Sequence, residues 1–127
     1  MDREYTNTLL LDFGPNGDHL LPVISQDLVS KTILIVSYTN QAAFEATRRS
    51  GLATFYSRSR QEIWQKGATS GNFLKVEEIL VNCEQNSLVY LVTPLQGGAC
   101  HAQRLDGQAY FGCYYRRVKA DGSLEFI

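Results

Sequence analysis

The chain has 127 residues, 44% of them hydrophobic and 20% charged, with a formal net charge of -1. That is the length of one domain, enough for a hydrophobic core but not for two. So even a charge balance argues against a surface built for nucleic acid, and no run approaches the roughly 20 apolar residues that span a bilayer.

The first 19 residues read as a loosely ordered lead-in ahead of a domain spanning 20–127. Their only apolar run is three leucines, too short for the core of a signal peptide, so a cytoplasmic location is expected. "KTILIVSYT" is β-branched and apolar from Ile33 to Val36 and predicts a buried strand. Asn40 then offers an N-cap, Ala43, Phe44 and Thr47 follow at helical spacing, and Arg48, Arg49 and Gly51 supply a basic last turn and a stop. "LATFYSR" predicts a second strand, "RQEIW" a turn or short helix, and "KGATSGN" a loop. "FLKVEEILVNC" suits a strand with a bulge, and "SLVYLVTP" a clear strand. "QAYFGCYYRRV" is aromatic and strand-like, and "DGSLEFI" a turn with a last short strand. The sum is an α+β, sheet-dominated single domain with one main helix.

Three groups of residues could carry chemistry. The chain holds three cysteines, Cys83, Cys100 and Cys113, with His101 beside the second. An odd number of thiols pairs poorly into disulfides, and in the cytosol thiols stay reduced. Three thiolates match a catalytic zinc, which keeps three protein ligands and an open fourth position. Buried core thiols match the same spacing, and no CxxC signature decides between the two. His101, facing away from its neighbour in an extended segment, suits a proton shuttle better than a ligand.

The second group is "YSRSRQEIWQKGATSG". Alternation at a strand end puts Arg58 and Arg60 on one face with Ser57 and Ser59 on the other, and Lys66, Thr69, Ser70 and two glycines follow. Guanidinium forks and a glycine-flanked hydroxyl loop suit a phosphate, although a solvated polar turn has the same composition. The third group is the polar run "NCEQN".

Together these stretches resemble phosphoribosyl-AMP cyclohydrolases, enzymes of histidine biosynthesis, over roughly residues 20–118. The most specific segment is Tyr56 to Gly71. The family's pattern there is Tyr/Trp-Ser-Arg-Ser-Arg, two residues, Leu-Trp, one residue, Lys-Gly-Glu-Thr-Ser-Gly, and this chain departs mainly at Ile63 and Ala68. The resemblance implies an intertwined homodimer that opens the purine of phosphoribosyl-AMP by adding water at C6 and breaking the N1–C6 bond. It implies a zinc ion held across the dimer interface by Cys83, Cys100 and Cys113, with His101 as proton shuttle. Arg58, Arg60, Trp64, Lys66, Thr69 and Ser70 fall where the family builds its substrate pocket.

Two departures bear on this. Where the family has three aspartates for magnesium around its first cysteine, this chain has Asn82, Glu84 and Asn86. One carboxylate is a poor home for a hard cation, so tightly bound magnesium is not expected. The segment between Cys100 and Cys113 is also longer, with Asp106-Gly107 as a hairpin turn. The alternatives are a divergent paralogue acting on another purine-like nucleotide, or a non-catalytic dimer stapled by zinc.

Overall fold

The computed structural model describes residues 2–127. The central sheet has four strands in the order β2-β1-β6-β5, formed by Leu21–Asp27 (β1), Ile33–Thr39 (β2), Leu74–Val81 (β5) and Leu88–Pro94 (β6). β1 runs antiparallel to β2 and parallel to β6, and β5 runs antiparallel to β6. The connection from β2 to β5 carries the helix α1 (Gln41–Ser50) and a hairpin of β3 (Thr54–Ser57) and β4 (Glu62–Gln65). A second hairpin, β7 (Arg116–Val118) with β8 (Leu124–Phe126), ends the chain. The architecture is the expected α+β domain with a single helix.

Helix α1 forms where its signals stand. The Asn40 side chain accepts a hydrogen bond from the Ala43 amide, and Gly51 closes the helix in the left-handed conformation at φ 75°. Ala43, Phe44 and Thr47 face inward. Thr47 Oγ1 donates to the carbonyls of Ala43 and Thr54 and accepts from the Thr54 amide, which locks the helix to β3.

The inward face of the sheet carries Leu21, Val23, Leu34, Leu74, Leu88, Tyr90 and Val92, all buried. Phe55 lies against Tyr90 and Trp64, with ring centroids 6.1 and 5.8 Å apart. Trp64 is therefore braced on the core.

Four local expectations change. "RQEIW" is turn only at Arg60 and Gln61, because Glu62–Gln65 pairs with Thr54–Ser57 as β4. β1 has no counterpart among the expected strands; its inward positions include Ser25 and Asp27, which mask its apolar alternation. "QAYFGCYYRRV" is strand only from Arg116 to Val118. Gly112 presses on β2 so closely that a Cβ there would lie 3.1 Å from the Ile33 carbonyl oxygen, and the chain is held as an irregular strap. The lead-in is tied down: Phe13 packs on Phe44 in the core, and the Gln85 side chain bonds the backbone of Arg3, Thr8 and Leu10. No helix of the described residues is long and apolar enough to cross a membrane.

Candidate active site

A cavity of about 270 Å³ opens where the β3–β4 hairpin, the loop after β4 and the 99–113 segment converge; Trp64, Lys66, Thr69, Ser70, His101 and Cys113 face it. Its walls come from tight backbone geometry. Gly67 has φ 97°, and a Cβ there would lie 2.4 Å from the Phe73 amide nitrogen, so only glycine lets this loop fold back on itself. Across the cavity, the Cys113 amide donates to the Leu34 carbonyl at 2.7 Å, and the Cys100 amide to the Tyr110 carbonyl at 3.2 Å.

The thiols of Cys100 and Cys113 are close enough for the charge on one to be felt by the other. Burial and the neighbouring Cys100 push the Cys113 thiol up to about 11, against the opposing pull of Lys66. Without a cation between them, two such thiols cannot share negative charge cheaply. The arrangement suits a divalent metal, which would make both thiolates favourable. The Cys100 sulfur also accepts from the Ala102 amide at 3.4 Å.

Lys66 is buried beside this pair. Burial lowers its pKa, while the two cysteines oppose that shift. Its ammonium donates to the Asn72 carbonyl at 3.2 Å, and the Asn72 side chain donates in turn to the Cys100 carbonyl. The sequence reading missed Asn72. Its position six residues after Lys66 in a glycine loop was the available signal.

The third cysteine is elsewhere. Cys83 is exposed in the turn after β5, whereas Asn72 and the thiol pair lie at that strand's other end. The eight residues of β5 separate these ends by about 20 Å at the rise of an extended strand. Among the described residues no three His, Cys, Asp or Glu side chains gather closely enough to hold a metal. One chain thus assembles two of the three expected thiols.

The polar turn around Cys83 has already satisfied itself. Asn82 Oδ1 accepts from the amides of Asn86 and Ser87, and Asn82 Nδ2 donates to Asn86 Oδ1 at 2.6 Å. Asn86 Nδ2 donates to Glu84 Oε2 at 3.1 Å. The amide oxygens of Asn82 and Asn86 and one of the two Glu84 carboxylate oxygens are engaged by N–H donors, and that single carboxylate is the turn's only anionic group. These residues do not fit a tightly bound magnesium ion.

The two arginines part company. Residues 58–61 form the turn of the β3–β4 hairpin rather than a strand end, so alternation fails. Arg58 stacks over the Tyr38 ring, 3.9 Å from its centroid, outside the cavity lining. Arg60 faces the cavity, together with Trp64. Thr69, Ser70 and His101 are exposed at its rim.

With this geometry in view, a family model described as phosphoribosyl-AMP cyclohydrolase matches residues 35–115. The phosphoribosyl-AMP cyclohydrolase of Methanospirillum hungatei is 44% identical over 123 residues, covering 96% of this chain and 86% of that protein. That of Archaeoglobus fulgidus is 40% identical over 111 residues, covering 87% and 94%. That of Cenarchaeum symbiosum is 47% identical over 91 residues, covering 72% and 82%. The matched segment contains every residue that faces the cavity. The chain belongs to the phosphoribosyl-AMP cyclohydrolase family.

Proposed function

We propose that this chain hydrolyses phosphoribosyl-AMP, opening the six-membered ring of its purine at the N1–C6 bond, as a histidine-biosynthetic enzyme of the cytoplasm. The observation that carries the reading is the convergence of Cys113, His101 and Trp64 on one cavity, with the buried thiol of Cys100 close behind Cys113. Cys100 and Cys113 would hold a zinc ion, with Cys83 of a second copy as the third ligand, in a homodimer. When bound, zinc lowers the pKa of water toward neutrality. Magnesium has no part in this reading.

The chain's own residues do the rest. Trp64, braced by Phe55, offers an aromatic surface for the purine. Arg60, Thr69 and Ser70 offer a guanidinium and two hydroxyls to the substrate's polar groups. Water oxygen becomes the oxygen of the carboxamide formed at C6, and N1 leaves bearing a proton. His101 carries an imidazole at the cavity rim that can move that proton. The buried Lys66 ammonium supplies positive charge beside the thiol pair, which favours their ionised form.

The test is a spectrophotometric assay of ring opening with zinc-loaded protein, run without and with added magnesium. Turnover without magnesium is expected. A protein that binds zinc stoichiometrically yet leaves phosphoribosyl-AMP intact would sink the proposal.

A further inference from the structure

The candidate cavity adjoins two other recesses, each sharing lining residues with it. It shares Arg60 and Trp64 with a recess of about 250 Å³ that adds Ser57 and Ser59. With a larger recess of about 700 Å³, bounded by Asn72, Gln96, Gln103 and Gln108, it shares Ser70. Asn72 lines this larger recess, and its side chain donates to the Cys100 carbonyl.

The two adjoining recesses differ in chemistry. The first carries a guanidinium and two hydroxyls, a set for an anion. No charged side chain lines the second; its polar groups are amides, a hydroxyl and glycine backbone. Each side-chain amide presents a donor and an acceptor together, which suits vicinal sugar hydroxyls. Its outer wall is held in place. A Cβ on Gly98 would lie 2.9 Å from the Tyr110 carbonyl oxygen, so the 103–109 hairpin packs on backbone at its base. The Ala99 amide donates to Phe111, and the Tyr110 amide to Ala102. At the tip, the Arg104 amide donates to the Gln108 carbonyl at 2.7 Å and Gly107 turns the chain at φ 83°.

We propose that the amide-lined recess binds the ribose of one of the substrate's two ribose 5-phosphate arms, with Gln103 and Gln108 as specificity-determining residues. This rests on the function proposed above. The substrate named there is a purine bearing two ribose 5-phosphate arms, and a cavity with reactive groups that adjoins two further recesses offers one place for the purine and one for each arm. The purine occupies the cavity beside Trp64 and His101. One arm reaches Arg60, Ser57 and Ser59, and the other reaches the glutamines.

The test compares two variants, Gln103→Ala/Gln108→Ala and Arg60→Ala, against two ligands, phosphoribosyl-AMP and the one-armed AMP. Each variant should raise the KM for phosphoribosyl-AMP by about tenfold, the loss of one or two hydrogen bonds, with kcat changed less. AMP, as a competitive inhibitor, should weaken in one variant and not the other, because it has one arm to lose. Zinc content and circular dichroism should match the parent, since both glutamines are exposed. An unchanged KM in the glutamine variant overturns the proposal, as does AMP responding to both variants or to neither. If the parent protein does not turn over phosphoribosyl-AMP, the function fails separately, and calorimetric binding of the two ligands still gives the same comparison.

Discussion

Two polar loops of this molecule have similar compositions and opposite fates. The loop from Lys66 to Asn72 and the turn from Asn82 to Ser87 each carry amides, hydroxyls and a charged group. In the first, Thr69 and Ser70 face an open cavity, and the buried Lys66 ammonium has one hydrogen bond, to a carbonyl. In the second, the side chains of Asn82, Glu84 and Asn86 bond one another and the backbone. Hydrogen-bonding capacity left unspent inside the chain is available to a ligand, whereas capacity spent within a turn only shapes it. The difference separates a cavity with polar groups free for a ligand from a self-satisfied turn, whose one proposed contribution is the sulfur of Cys83.

The sharpest way to break the comparison is through the cysteines. Cys113→Ser should release zinc and reduce turnover by at least about a hundredfold. Cys83→Ser, although at the far end of β5 from that cavity, should do the same if a second copy supplies it. Mixing the two inactive variants and allowing subunits to exchange should restore about a quarter of parental activity, because half the dimers are mixed and each has one intact site. Metal content and activity of the mixture check this; silence of Cys83→Ser would return that residue to a surface thiol. Next in size, His101→Ala should lower kcat by about a hundredfold with KM nearly unchanged. An equal loss in both would make His101 a binding residue.

A smaller and constructive effect belongs to the turn. Asn82→Asp with Asn86→Asp removes both amide donors and supplies two more carboxylates. Calorimetric titration should then detect magnesium binding where the parent shows none. Saturable magnesium binding by the parent would show that its mutually bonded oxygens are freer than their hydrogen bonds imply.

Much of the scaffold was legible because its signals are local. Asn40 and Gly51 bracket the helix, Ile33–Val36 and Leu88–Val92 are apolar enough to be strands, and the bulge in β5 falls between Val76 and Glu78 as its broken alternation suggests. The failures share a cause in tertiary packing. β4 is four residues long and half exposed, so it exists only because β3 lies beside it. The aromatic run before Arg116 has strand propensity, but Gly112 docking on β2 overrides it. At the site, residue types were readable from the resemblance and directions were not. The hairpin turn that sends Arg60 to the cavity and Arg58 to Tyr38 has Gln61 at φ 54°, a conformation no local rule assigns to glutamine.

The smallest effect tests the core against both loops. Tyr90 is fully buried, and burial raises its pKa from 10.0 to about 12. Its hydroxyl lies near Thr47 and Thr39 without a hydrogen bond of ordinary geometry to either. Between pH 10 and 12 the unfolded chain has released this proton and the folded chain keeps it. Stability from this group is therefore complete below pH 10 and falls as the pH rises toward 12. Tyr90→Phe should leave the urea midpoint at pH 8 nearly unchanged, since no well-formed hydrogen bond is lost, and should flatten the decline above pH 10. A large loss at pH 8 would instead show that the hydroxyl is held firmly by the two threonines, making the helix–sheet junction as internally satisfied as the Asn82–Ser87 turn.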